Sequence, residues 1–460
     1  MENKSINKLL SICLLDGRNR DKLEVLRNYF SEFALIKFRI LVETEYLIFL
    51  SENTNLIPKL NKSETVKIKK IYEGFTPVKA VAVKELEKKT NHDVKAVEYY
   101  LRDQLIKSKL NHLISFVHFG LTSYDINIPA YGLILSEFKK NVLLPYLYNL
   151  QKDLKEIILK TKKSVMLART HGQPALPTTF GKEMAVFYNR LKKESQYLLK
   201  INIEGKLTGA VGNFNALRFV APQYDWLQLS KKFITQLGLV PNLVTTQILP
   251  YDNWISLFDA VRRINSVLIN LCQDIWWYIS LDYITQKKID REVGSSTMAQ
   301  KINPITFENA EGNLQLSNSL FEFFARKLPV SRLQRDLSDS TVKRDFGLAF
   351  GFTLLAYDSI LAGFKRIEPD NIKMKQDLDD HWEIFAEGIQ SYLRLVGNSQ
   401  AFEIIQKVTR GRKLTKKEIY SLIDKLPIAN SDKQKLKINS LASYLGLTDE
   451  IIKLALKNDE

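Results

Sequence analysis

Cysteine is nearly missing from this sequence, which holds only Cys13 and Cys272 in 460 residues. Two cysteines so far apart, in neither metal-ligand nor CxxC spacing, exclude a disulfide framework and a cysteine-bound zinc, and they fit a reducing cytoplasm. Strand-like alternation is scarce, and neither an internal repeat nor a low-complexity linker is found. Long uncharged runs are also wanting: Arg262, Arg263 and Asp274 interrupt the longest apolar stretches, so no membrane-spanning helix is expected. At the N-terminus, Lys4 and Lys8 precede the apolar stretch Leu9 to Leu15, superficially like a minimal signal peptide. Asp16-Gly17-Arg18 closes that stretch without a small-residue cleavage site, and an amphipathic first turn accounts for it.

What is present describes a large globular chain. A 45% hydrophobic composition supports a sizeable core, and at the usual ~100 to 200 residues per domain about three units are expected. The formal charge of +16 could reflect a nucleic-acid partner or a lysine-rich proteome. Lysines are scattered, as at Lys88-Lys89, Lys162-Lys163 and Lys416-Lys417, without interleaved aromatics or a glycine-clamped basic motif. A dedicated nucleic-acid role is therefore not expected, although a basic field would help recruit a small polyanion.

Helical spacing dominates. Val94, Val97, Leu101 and Leu105 recur at three and four residues, as do Phe180, Met184, Phe187 and Leu191, and later Phe307, Ala310 and Leu314. The expectation is an all-α fold in three segments, 1–111, 112–352 and 353–460, with a long helical bundle in the middle one and helices shared between units. Glycine and proline cluster at Gly172 to Pro177, Gly205 to Gly212 and Gly294 to Pro304, which makes these three loops the places to look for chemistry.

The chain has five histidines, so proton-transfer candidates can be enumerated. His171 lies in a shaped loop, Arg169-Thr170-His171-Gly172-Gln173-Pro174, with Pro177-Thr178-Thr179 as the following helix start. Thr90 and Asp93 around His92 have the spacing of a capping box for the Val94 to Leu105 helix, and the amides of such a helix start suit an anionic ligand. His112, His118 and His381 flank apolar residues and read as partly buried structural residues. In the third loop, Asn303 can cap and Pro304 can open the helix carrying Phe307. The preceding Gly294-Ser295-Ser296-Thr297 is small and hydroxyl-rich, as in a loop that closes over a ligand. Lys301 adds a positive charge six residues after Ser295, and a serine acts as a base only where its alkoxide is so stabilised. Arg332, Arg335 and Arg344 flank Asp339-Ser340-Thr341, which either recognises phosphate or carboxylate or forms a solvated, salt-bridged helix face.

Gly294 to Pro304 resembles the GSSxMPxKxNP signature of the fumarase, aspartase and argininosuccinate lyase superfamily. Thr90 to Tyr99, Arg169 to Ala175, and Lys327 to Arg332 running into Asp339-Ser340-Thr341 narrow the resemblance to the adenylosuccinate lyase family, in particular its bacterial form. The likeness extends from Asp16-Gly17-Arg18 to Thr409-Arg410-Gly411. It implies an all-helical homotetramer with a shared central bundle and active sites assembled from loops of several subunits, and it implies neither metal nor organic cofactor. The implied reaction releases fumarate from adenylosuccinate, giving AMP, and from the succinylcarboxamide ribotide SAICAR, giving AICAR.

By that resemblance Ser295 is the base and His171 the acid, with His92 and Lys301 completing the catalytic set; Lys301 and Asn303 would stabilise the developing anion. Arg18, Arg335, Ser340 and Arg344 would hold the phosphate and neighbouring groups, with Thr341 a further substrate-binding position, while Asn91, His92 and Asp93 line the succinyl end. Thr122, Ser123, Gln247 and Asn19 fill further substrate positions. Three positions depart from the family pattern: Asn19 replaces a usual tyrosine, Ala299-Gln300 replaces Pro-x, and Tyr124 stands where an acidic or small residue is commoner. An active but slower enzyme is expected. The alternatives are another fumarate-releasing lyase, acting on argininosuccinate for example, or a non-catalytic oligomer of the same superfamily.

Overall fold

The computed structural model describes Ile6, residues 8–289, Thr297, Met298 and residues 300–457. Helix accounts for 67% of the described residues, and the strands among them form three two-stranded pairs, so the fold is all-α as expected. Contacts group the chain into two compact units. One comprises Met1–Leu147, Glu194–Ser266 and Asn313–Ala356; the other comprises Tyr148–Lys193, Val267–Gly312 and Tyr357–Glu460. The division falls inside five helices, Leu144–Thr161, Phe180–Lys200, Asp252–Ser280, Ile305–Lys327 and Phe346–Phe364, so the chain passes between units without flexible tethers.

In the first unit, α1 (Glu32–Asn53) is apolar nearly all round, and 15 of its 22 residues are buried. Such a helix can only sit inside a core. Ser31 caps it by accepting the Ala34 N–H. Three further helices matter for function: α2 (Pro77–Thr90), α3 (Asp93–Lys107) and α4 (Ser123–Phe138). The core is strongly aromatic, with Phe258 stacked on Phe321 and edge-on to Phe346, and Phe138 against Phe350. Stretch Ser338–Phe364 is long and apolar enough to cross a membrane by composition, contrary to the expectation that charges interrupt every such run. Of its apolar 18-residue window 61% is buried inside the protein, with Phe346, Phe350, Leu354 and Ile360 wholly enclosed, as befits a core helix.

In the second unit, Trp382, Phe385, Ile389, Leu393, Ile405, Ile419 and Ile423 form the core of the C-terminal helices, and Leu167 joins them. Leu167 belongs to a β-hairpin, β1 (Val165–Thr170) with β2 (Gln173–Thr179), where the sequence indicated only a loop. His171 and Gly172 form its two-residue turn with φ of 53° and 73°. Left-handed values at both positions match the twist of an antiparallel pair. Beyond the hairpin, Thr179 accepts the Lys182 N–H and starts helix Phe180–Lys200 where a helix start was expected.

Candidate active site

The first unit contains a cleft of about 530 Å³. Four short stretches line it: Arg39 from α1; Glu87, Asn91, His92 and Asp93 from the α2–α3 junction; Ser123, Asn127 and Tyr131 from α4; and Arg335, Leu337, Ser340, Thr341, Lys343 and Arg344 from the 335–344 segment. Four cations thus face two carboxylates, which makes it an anion-binding cleft by charge.

The junction is shaped locally. Asn91 ends α2 in the left-handed conformation (φ 49°), which asparagine tolerates, and its N–H closes on the Glu87 carbonyl at 2.7 Å. His92 then caps α3: its Nδ1 accepts the Lys95 N–H at 3.1 Å. The expected Thr90–Asp93 capping box is not formed, because Thr90 still belongs to α2 and turns its hydroxyl back to the Leu86 carbonyl. With Nδ1 engaged as an acceptor, Nε2 is the ring donor that remains.

Asp93 is held by its neighbours. One carboxylate oxygen contacts Arg39 Nη2 at 2.7 Å and Arg344 Nη2 at 3.2 Å, and the other accepts the Val94 N–H. Burial works to raise its pKa, yet the Arg39 charge and hydrogen bond, the Val94 amide and Arg344 together bring it below the usual value. Arg39, itself buried, is further fixed by Asn127 at 2.8 Å.

Behind the 335–344 segment lies a buried polar cluster. Asp339 accepts from Tyr124 and Tyr251 at 2.6 Å each and from Lys343 at 2.7 Å. This is the reverse of the solvated helix face considered as an alternative, which holds only at Arg332, exposed and paired with Asp336 at 3.3 Å. Burial pulls the Lys343 pKa down to about 8 against the support of Asp339, while the same carboxylate stays below its usual range. Arg335 lies over the Tyr124 ring at 4.2 Å and donates to Gln247 at 2.9 Å.

Of the expected substrate positions, Asn91, His92, Asp93, Ser123, Arg335, Ser340, Thr341 and Arg344 meet in this cleft. Gln247 reaches it through Arg335. Thr122 lies just before α4, its N–H held by Asp125, which also accepts from the Thr208 N–H and from Lys206. Lys206 and Asp125 are wholly buried, so the Gly205 to Gly212 loop braces α4 from below. Arg18 is exposed and Asn19 precedes a short 3-10 turn; neither lines the cleft. Sequence reasoning missed Arg39, Asn127, Tyr131 and Lys343. For Arg39 a signal existed, since it is a lone arginine in the otherwise apolar run Phe38 to Leu41.

The remaining candidates belong to the second unit. His171 stands exposed at the hairpin tip. The hairpin is anchored by Arg169, which donates to Asp377 at 2.7 Å, and Asp377 also accepts from Tyr283. Lys301 is exposed, and its N–H bonds the Met298 carbonyl. Asn303 is half-buried just before helix Ile305–Lys327. The Pro304 carbonyl accepts from Glu308, so the helix begins one residue later than expected and Pro304, not Asn303, takes the capping position. Gly294, Ser295, Ser296 and Ala299 lie outside the described residues. Among the other histidines, His118 bonds Glu43 at 2.5 Å and His381 bonds Glu383 at 2.7 Å, both half-buried as expected. His112 is exposed, contrary to expectation, because it opens a short surface 3-10 turn.

Comparison with known proteins adds the family. Residues 17–315 match a family model described as Lyase, and residues 331–445 match one described as Adenylosuccinate lyase C-terminal. The chain is 43% identical over 450 residues to an adenylosuccinate lyase of Buchnera aphidicola subsp. Schizaphis graminum, covering 97% of this chain and 99% of that one. It is 41% identical to that of Escherichia coli, with 96% and 97% covered, and 43% identical to that of Dictyostelium discoideum, with 97% and 98% covered. Solved structures share the fold at lower identity. A fumarate lyase from Mesorhizobium superposes with a TM-score of 0.73 at 16% identity, covering 95% of this chain and 98% of that one. The β-carboxy-cis,cis-muconate cycloisomerase of Acinetobacter calcoaceticus gives 0.70 at 17%, covering 94% and 97%. On the full-length similarity to these relatives, the chain belongs to the adenylosuccinate lyase family, carbon–nitrogen lyases of the fumarase superfamily.

Proposed function

We propose that the protein eliminates fumarate from adenylosuccinate, giving AMP, and from SAICAR, giving AICAR, in cytoplasmic purine nucleotide biosynthesis. It acts as a homotetramer whose active sites combine loops of more than one subunit, without metal or organic cofactor. Segments 1–111, 112–352 and 353–460 serve as its three domains, with the shared bundle in the middle one. The observation that carries this reading is the cleft in which Arg39, Arg335, Lys343 and Arg344 converge with the His92–Asp93 helix start. A nucleotide phosphate is the ligand such a set of fixed cations suits best.

Ser295 takes the proton beside a succinyl carboxylate, and Lys301 and Asn303 favour the negative charge that then builds on that carboxylate. His171, at an exposed turn, gives a proton to the departing nitrogen. His92 offers its Nε2 to the succinyl end beside Asn91 and Asp93. Arg335, Arg344, Ser340 and Thr341, joined by Arg18, hold the phosphate and its neighbouring groups, and Asn19, Thr122, Ser123 and Gln247 complete the substrate contacts.

Fumarate release from adenylosuccinate and from argininosuccinate, by wild type, Ser295→Ala and His171→Ala, tests this. Release from adenylosuccinate alone, reduced ~10²- to 10⁴-fold in each variant, is expected. Fumarate from neither compound would overturn the function. A near-wild-type rate in either variant would overturn its role as acid or base. Mixing the two inactive variants should restore part of the activity if sites are shared, and no recovery after subunit exchange would count against sharing.

A further inference from the structure

Tyr124 occupies an unusual place. It is buried on α4, yet it touches two groups of the cleft wall at once. Its ring carries the Arg335 guanidinium at 4.2 Å, and its oxygen lies 2.8 Å from the Ser340 hydroxyl. The donor count sets the direction of these bonds. Asp339, an ionised carboxylate, only accepts, so the single Tyr124 proton goes to Asp339 at 2.6 Å. The Tyr124 oxygen must then accept from Ser340, which fixes that side chain's rotamer. Lys343 and Tyr251 complete the cluster on the far carboxylate oxygen of Asp339. Tyr251 contacts Asp339 and Lys343 but has no bond to Arg335 or Ser340.

We propose that Tyr124 is a positioning residue for phosphate binding: its ring sets the Arg335 guanidinium and its hydroxyl sets Ser340, while Asp339 holds Tyr124 itself. An arginine held on an aromatic face loses little further freedom when it takes an anion, so such an arrangement strengthens ground-state binding. Because the phosphate is remote from the bond that breaks, binding strengthens equally in ground and transition states. The effect therefore belongs in KM and not in kcat. This inference rests on the proposed lyase reaction and on Arg335 and Ser340 contacting the substrate.

Steady-state kinetics with adenylosuccinate, together with urea unfolding of each variant, provide the test. Tyr124→Phe keeps the ring and loses the hydroxyl; KM should rise about five- to tenfold with kcat within about twofold of wild type. Tyr124→Leu removes the ring as well and should raise KM further. Tyr251→Phe removes a hydroxyl from the same carboxylate without touching Arg335 or Ser340, and should leave KM within about twofold. A wild-type KM in Tyr124→Phe overturns the proposal. So does an equal rise in Tyr251→Phe, which would show only general support by the cluster, or a fall confined to kcat. Should Tyr124→Leu fail to fold, the two phenylalanine variants, which preserve volume, carry the comparison. Absence of fumarate release from the wild type overturns the functional reading itself and this inference with it, an outcome distinct from an active enzyme with an indifferent Tyr124.

Discussion

His118 and Glu43 show how single buried charges shape the pH response of this protein. Burial lowers the His118 pKa, but the Glu43 charge and hydrogen bond, helped by Glu98 and Asp125, outweigh it and leave the value raised. A raised folded-state value means that the pair's stabilisation is full below the unfolded pKa of about 6.5 and is lost as pH rises through the folded value above it. Lys343, lowered to about 8, acts in the opposite sense, so the quantity to read is wild type minus His118→Gln. That difference, from urea midpoints, should shrink as pH rises above about 6.5; a constant difference would refute the linkage. Asp125 and Lys206 give a second, asymmetric case. Asp125→Ala strands a wholly buried ammonium and should cost ~3 to 5 kcal/mol. Lys206→Met should cost less, since Asp125 keeps the Thr122, Thr208 and Gly209 amides. Equal losses in urea unfolding would contradict this.

At the scale of elements, α3 depends on a cap that doubles as a cleft residue. His92→Ala should lower stability by about 1 kcal/mol, whereas His92→Asn retains a capping oxygen and should remain near wild type. If the ring also serves the substrate, both variants lose activity, and an asparagine variant as active as wild type would confine His92 to capping. The hairpin offers a parallel test. Gly172 sits at φ 73° with open space where a Cβ would go, so Gly172→Ala meets only backbone resistance, about 1 kcal/mol in thermal or urea unfolding. These two elements also mark what the sequence could tell. The Val94 to Leu105 periodicity was readable because its apolar face is buried, but the cap was assigned to Thr90 because side-chain direction is invisible in spacing. The hairpin went unread because Pro174 and Pro177 disguise β2, while His171-Gly172, a turn needing two left-handed residues, was the signal available. Tyr131 and Lys343 escaped notice for another reason: on a helix they look like ordinary solvent-facing residues until packing encloses them.

For the whole molecule, the +16 charge and the cationic cleft act at different ranges. The surface field extends only about a Debye length and draws anions toward the protein, so kcat/KM for adenylosuccinate should fall as salt rises from about 20 to about 300 mM. A flat response would show that the surface charge has no part in substrate capture. Inside the cleft the interaction is of another kind. Arg39 and Arg344 already share the Asp93 carboxylate, so an arriving anion meets cations with a resident counter-ion tethered beside them. Occupation is then an exchange, in which the newcomer must offer the guanidiniums more than one carboxylate does. On the proposed phosphate role of Arg344, monovalent anions would gain little from such a trade and a dianionic phosphate more, so Asp93 would act as a valence filter built from the protein's own side chain.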